Sequence, residues 1–333
     1  MATLISYDNG MSTGKLIFWH EGKEHRLSFP SVATEVQFET PETLVINDRI
    51  LNFREGLTAV RLGHKTKAEK IHRDLLHRAM FEVYKITGET EFDISTNCSL
   101  DSMKYDDGLG VYEYQAELRE IKAKEFRGEE VTLKINNLKV YPECVVGGLT
   151  IKELRVKDTE EIIFFDIGSM NFQISRMLNA SINYQESYAT THGMNSIYMK
   201  TADIVKTQVK GLSTPAAIEI YLKRVSSGAM QPIKEADECI LRHLINNTFV
   251  EIDERLNEIN PTMFAKYVFL GGGSVALKRF IEAKFTDKAE SGDLYFVEEP
   301  YFANALGMYR RAAKQFGYEM PKSEKRKVKR VKK

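Results

Sequence analysis

LISYDNGMSTGKLIFW at residues 4–19 and IIFFDIGSMNFQISRM at residues 162–177 share one pattern. Each opens on apolar or aromatic-rich positions, continues through Asp, one residue and Gly, crosses a short polar turn and enters a second β-prone run. Asp8–Asn9–Gly10 and Asp166–Ile167–Gly168 stand at matching points of the two halves. The repetition predicts a strand–turn–strand unit built twice. Glycine two residues after the Asp lets such a turn bring backbone N–H groups close to an anion, with no side chain in the way. An Asp at a strand end suits hydrated Mg²⁺, which accepts few carboxylates and keeps several waters. Two such hairpins face to face would grip a polyphosphate from both sides, with Lys15 neutralising its charge. Turns of this kind are also ordinary hairpin chemistry, so the duplication and the following lysine carry the functional reading.

The run Gly10–Met11–Ser12–Thr13–Gly14–Lys15 is not a P-loop. That motif needs four residues between its glycines and Ser or Thr after the lysine. Here three residues intervene, Leu16 follows, and the segment joins strand to strand.

Outward from the hairpins, strands are predicted at Leu4–Tyr7, Lys15–His20, His25–Phe29, Thr43–Ile46 and Ile50–Phe53. A helix follows over about Lys67–Ile86, with Ile71, Leu75, Ala79 and Val83 at four-residue spacing and Gly88 as its stop. Strands return at Phe92–Cys98, Val131–Ile135, Leu138–Tyr141, Ile162–Asp166 and Phe172–Leu178. Helices then dominate: one with Thr214 as N-cap and Pro215 at its first position, and a long one from Pro232 to Ile259. After a strand at Lys266–Leu270 and a glycine turn come helices at Val275–Phe285 and Tyr301–Phe316. Strands and helices recur in two mixed batches, which predicts an α/β architecture built twice.

The chain of 333 residues is 43% hydrophobic and 28% charged, ample for two medium domains. Lys+Arg and Asp+Glu balance at 47 each. The last twelve residues, Lys322–Lys333, hold eight Lys/Arg against Glu324, so the rest carries about −7. Too apolar-poor to bury and too like-charged to fold alone, this tail is expected to be disordered and able to touch DNA or an acidic neighbour electrostatically. Cys98, Cys144 and Cys239 form no CxxC pair, which argues against a zinc site or a disulfide framework. With no signal-peptide pattern and no apolar run near the ~18 residues of a membrane span, a cytoplasmic protein is expected.

These segments resemble the actin, Hsp70 and sugar-kinase ATPases. Asp8–Asn9–Gly10 with Lys15 is similar to the first phosphate loop of actins, and Asp166–Ile167–Gly168 to the second. Phe269–Leu270–Gly271–Gly272–Gly273–Ser274 is similar to their adenosine motif. Tyr141–Pro142–Glu143 and Pro300–Tyr301–Phe302–Ala303–Asn304–Ala305–Leu306–Gly307 resemble ParM-type actin-like proteins, which segregate plasmids in bacteria. The ordered motifs span residues 3–317. The resemblance implies an actin-like fold, with two RNase H-like α/β domains, each centred on a five-stranded sheet, around a nucleotide cleft. Domain I would cover residues 1–147 and domain II residues 148–300, with a helix at 301–320 returning to domain I and a basic tail at 321–333.

The resemblance further implies binding of Mg-ATP by Asp8, Gly10, Ser12, Thr13, Lys15, Gly168, Ser169, Asn171, Gly271, Gly272, Gly273 and Ser274. Asp8 and Asp166 would hold Mg²⁺ through water, with Glu143 and Asp166 catalytic and Glu143 orienting or activating the attacking water. The implied partners are further copies of the chain in a filament and a DNA-binding adaptor on plasmid DNA. Two positions depart from the pattern: Asn171 and Gln173 stand where the second loop commonly has Thr and often Asp. Two other readings stay open: a structural filament with little hydrolysis, and a small-molecule kinase on the same fold.

Overall fold

The computed structural model describes residues 2–10, 12–53, 70–98, 119–151, 154, 160–190 and 192–319. The basic tail lies outside them, as do residues 67–69 of the first predicted helix. The chain opens with β1 (Thr3–Asn9), β2 (Thr13–His20), β3 (Lys23–Pro30), β4 (Thr34–Glu35), β5 (Thr43–Ile46) and β6 (Arg49–Asn52). Helix α1 (Lys70–Thr87), β7 (Glu91–Cys98), β8 (Glu120–Glu125), β9 (Val131–Pro142) and the single turn α2 (Val145–Gly148) follow. The second batch begins with β10 (Glu161–Ile167), β11 (Phe172–Leu178), β12 (Ser181–Thr190), α3 (Met194–Val205), α4 (Pro215–Ser226), α5 (Lys234–Asn246) and α6 (Thr248–Ile259). It ends with β13 (Lys266–Leu270), α7 (Gly272–Ala276), α8 (Lys278–Lys284), α9 (Thr286–Ser291), β14 (Leu294–Phe296) and α10 (Ala303–Phe316).

Two sheets result. The second has five strands in the order β12-β11-β10-β13-β14. The first repeats that plan as β3-β2-β1-β7-β9 and then extends through β8, β5, β6 and β4 to nine strands. In both, an antiparallel meander of three strands is followed by two parallel partners. The four extra strands all pair antiparallel.

The two hairpins share their register as well. Asp8 faces Lys15 and Asn9 faces Gly14; Asp166 faces Gln173 and Ile167 faces Phe172. The turns 10–13 and 168–171 are therefore of equal length.

Alternation along the central strands builds the cores. Ile163, Phe165 and Ile167 point into a large core with the helical layer of α3 to α8, while Ile162 and Phe164 pack on the opposite face with Val145 and Ala303. Both faces of β10 are covered, which is why its sequence reads as a continuous apolar run. In the first sheet Ile5 and Tyr7 pack with Leu75, Ala79 and Val83 of α1. Leu4 packs on the other face against the small-residue stripe Ala305, Ala312 and Ala313 of α10. The Ser6 hydroxyl donates to the carbonyl of Ala305 at 2.6 Å, tying β1 to α10.

Some local expectations change. Val131–Ile135 and Leu138–Tyr141 are one strand, because Asn136 and Asn137 form an irregularity opposite Phe92 and Asp93 and do not end it. Asn137 there donates to Asp93 at 2.7 Å. The long helix 232–259 breaks at Asn247 (φ −134°, ψ −81°), whose amide donates to the His243 carbonyl of the preceding turn. The helix expected over 275–285 starts earlier, at Gly272, and is interrupted at Leu277. Strand β12 has no apolar alternation and went unread. Thr214 does cap α4, accepting from Ala217 N at 3.2 Å. Among the described residues Cys98, Cys144 and Cys239 are buried, and no helix is long and apolar enough to cross a membrane.

Candidate functional site

A cleft of about 440 Å³ opens where the two hairpin turns, the β13–α7 turn and the start of α10 converge. Asp8, Gly10, Ser12, Thr13 and Lys15 line it from the first hairpin, and Asp166, Gly168, Ser169 and Asn171 from the second. Glu143, just past β9, and Gly271, Gly272 and Gly273 complete the group read from the sequence. Ser274 is the exception. It is fully buried, and its hydroxyl turns back to the Gly271 carbonyl at 2.8 Å.

Lys15 reaches Asp8 across the hairpin, Nζ to Oδ2 at 3.1 Å, and lies 5.2 Å from the centre of the Tyr301 ring. Burial works against its charge, but Asp8, then Asp166 and Tyr301, outweigh that effect and raise its pKa. The ammonium is thus held charged beside two carboxylates, at the bottom of a polar cleft. The turns also touch each other: Ser169 Oγ donates to Ser12 Oγ at 2.8 Å.

Glu143 is 5% exposed, unlike an ordinary loop glutamate. Asn97 of β7 donates through one amide nitrogen to Asp8 Oδ1 at 2.6 Å and to Glu143 Oε1 at 3.3 Å. Gln173 of β11 donates to Glu143 Oε2 at 2.6 Å. On the far side Asn304, in the first turn of α10, donates to Asp166 Oδ2 at 3.3 Å. The carboxylates are therefore placed by amides from three separate elements.

The fold is actin-like. An archaeal actin homolog superposes with a TM-score of 0.72 at 18% identity, covering 94% of this chain and 99% of its own. A second structure of that protein is a complex with ADP. Bacillus thuringiensis ParM with ATP gives 0.68 at 14% identity, over 95% and 99% of the two chains. The Alp12 filament structure gives 0.67 at 14%, with the same coverage. No protein-family model and no curated protein matches the sequence.

This actin-like cleft contains residues that sequence reasoning missed. Tyr198 of α3, Glu219 and Lys223 of α4, and Ala276 line it. Burial, and secondarily Glu219, raise the pKa of the Tyr198 hydroxyl and keep it a donor. Glu219 and Lys223, paired at 2.6 Å, have the spacing of a solvated helix pair, so sequence alone gave no reason to single them out. Tyr301 and Asn304 lay inside a quoted motif without an assigned role.

The glycine triplet explains itself locally. Gly271 has φ 81° and ψ 159°, a region open essentially to glycine only. A Cβ there would sit 2.4 Å from Asp166 Oδ1 and 2.5 Å from the Ile167 carbonyl, whereas a Cβ on Gly272 would meet nothing within 4 Å. Gly271→Ala is expected to cost about 1–3 kcal/mol in backbone strain alone and to displace Asp166. Calorimetry should show a lower melting temperature, and added nucleotide should no longer raise it.

Proposed function

We propose that this chain is a polymerising actin-like ATPase that binds Mg-ATP in the cleft and forms dynamic filaments that segregate plasmid DNA. The observation that carries this reading is the paired hairpin. Two turns of equal length and register face each other across one cleft, each beginning with a buried Asp, with a charged lysine between them and a buried, amide-held glutamate beside them. The relatives support its finer parts: one is described with ATP, one with ADP and one as a filament.

The residues fit the ligand. Lys15, the hydroxyls of Ser12, Thr13 and Ser169, and the Asn171 amide offer donors to phosphate oxygens, and the open side of Gly272 leaves room for the nucleoside. Among the described residues no group of three or more His, Cys, Asp or Glu could hold a metal directly. Asp8 and Asp166 would instead hold Mg²⁺ through water, as suits that ion. Bound there, Mg²⁺ would offset phosphate charge. Glu143 takes a proton from water as the water oxygen bonds to the terminal phosphorus. The bond to the bridging oxygen then breaks, and its electron pair leaves on ADP. Little covalent work is asked of the protein beyond this positioning.

The two sheets support domains at residues 1–147 and 148–300, with 301–320 returning to the first. Assembly would place copies of this chain in a filament, joined to DNA through an adaptor. A structural filament with little hydrolysis is the second reading, favoured by Asn171 and Gln173, which stand where the second loop commonly has Thr and often Asp. Negative-stain electron microscopy with ATP, ADP or no nucleotide tests assembly. Filaments with ATP are expected; their absence at every nucleotide, together with phosphorylation of an added acceptor, would point to a kinase.

A further inference from the structure

We propose that Gln173 is a positioning residue for Glu143, and that the pair locks the glutamate between the two sheets. This rests on the hydrolase reading above. The matched hairpins make the role visible. Position for position, Gln173 stands to Asp166 as Lys15 stands to Asp8. Lys15 spends its donor on its own cross-strand Asp. Gln173 does not; its amide crosses to Glu143 at 2.6 Å.

Glu143 is thereby held from two directions. Asn97, on β7 of the first sheet, takes Oε1, and Gln173, on β11 of the second sheet, takes Oε2. A carboxylate on a flexible side chain gains a fixed plane when separate donors hold its two oxygens. Because those donors belong to different sheets, that plane is defined only while the sheets keep this spacing. Gln173 itself is 2% exposed and reaches the cleft, and its Oε1 has no hydrogen-bond partner. A buried amide with an unsatisfied oxygen carries a cost, which the contact with Glu143 offsets.

The consequence is a split in kinetics. The Gln173 side chain spends its hydrogen bond on Glu143 and makes none to the turns or to Lys15, so its loss should leave nucleotide binding intact and lower turnover. Gln173→Met keeps the side-chain length and removes the donor. Phosphate release at saturating ATP is expected to fall about ten-fold or more, the factor that goes with losing a hydrogen bond to a charged group. The KM for ATP should stay within about two-fold on the same grounds. Gln173→His places a ring N–H the same number of bonds from Cα and should restore most of the rate. In a Glu143→Ala background Gln173→Met should have no further effect, since a residue that acts only through Glu143 has nothing left to position.

Steady-state phosphate release by the wild type, Gln173→Met, Gln173→His, Glu143→Ala and the Glu143→Ala/Gln173→Met double variant is the test. If Gln173→Met does not fold, Gln173→Asn, which withdraws the amide by one carbon, replaces it. A rate within two-fold of wild type, or an equal loss in the Glu143→Ala background, would overturn the positioning role alone. No release by the wild type would overturn the hydrolase reading and this role with it.

Discussion

Glu143→Ala should release phosphate about 10²–10⁴-fold more slowly than the wild type, the usual contribution of a positioned acid or base. It should still bind ATP and still assemble. Lys15, the turn hydroxyls and the glycine triplet lie on other elements, so the phosphate and nucleoside contacts survive the truncation. Filaments of the variant should therefore form at the normal rate and persist, because the hydrolysis that ages them is gone. Glu143→Gln guards against a packing artefact. It keeps the shape and an acceptor for one amide while removing the proton acceptor, and it should be nearly as slow. Both rates come from a phosphate-release assay, and filament lifetime from light scattering. Unchanged release in both variants would remove Glu143 from catalysis.

The second large effect concerns acid stability and falls on a residue that does not line the cleft. His77 of α1 is buried, and neither ring nitrogen has a hydrogen-bond partner. Burial, then the positive charges of Arg73 and Arg49, lower its pKa to about 3 from an ordinary 6.5. Above pH 6.5 the ring is neutral in both folded and unfolded chains, and its full contribution to stability is present. As pH falls below 6.5 the unfolded chain takes up a proton that the folded chain refuses, and stability drops until pH reaches about 3. The slope is up to about 1.4 kcal/mol per pH unit and the total about 5 kcal/mol. Denaturant titrations of wild type and His77→Leu between pH 7 and 3.5 isolate this group. The variant should also be more stable at pH 7 by about 1–3 kcal/mol, since it removes unsatisfied buried nitrogens. Parallel pH profiles for the two proteins would show that His77 is not the group responsible.

The fold was legible where local pattern and tertiary role coincide. Ile162–Phe165 reads as a buried strand because it is buried on both faces, and the Asp–X–Gly repeat exposed the duplication because the two hairpins keep identical register. The four extra strands of the first sheet were not legible as a sheet. β4, β5 and β6 are short, and β8 alternates only weakly, with Ile121 and Ala123 inward among charged neighbours. Nor did the break at Asn247 show itself, since the apolar repeat continues through it.

At the site, the residues on the three turns were readable because turn chemistry is sequence-local. The second ring was not. Asn97, Gln173 and Asn304 act through contacts with residues distant in sequence, such as the 2.6 Å bond from Asn97 to Asp8. Gln173 registered only as a departure from a pattern. It took the register of β10 and β11 to give it a partner.

The most direct test of the account follows light scattering and phosphate release together after Mg-ATP is added to the pure 333-residue chain. Scattering that rises with ATP, stays flat with ADP or no nucleotide, and decays as phosphate appears is the predicted result. No rise under any nucleotide at concentrations well into the micromolar range would contradict the account.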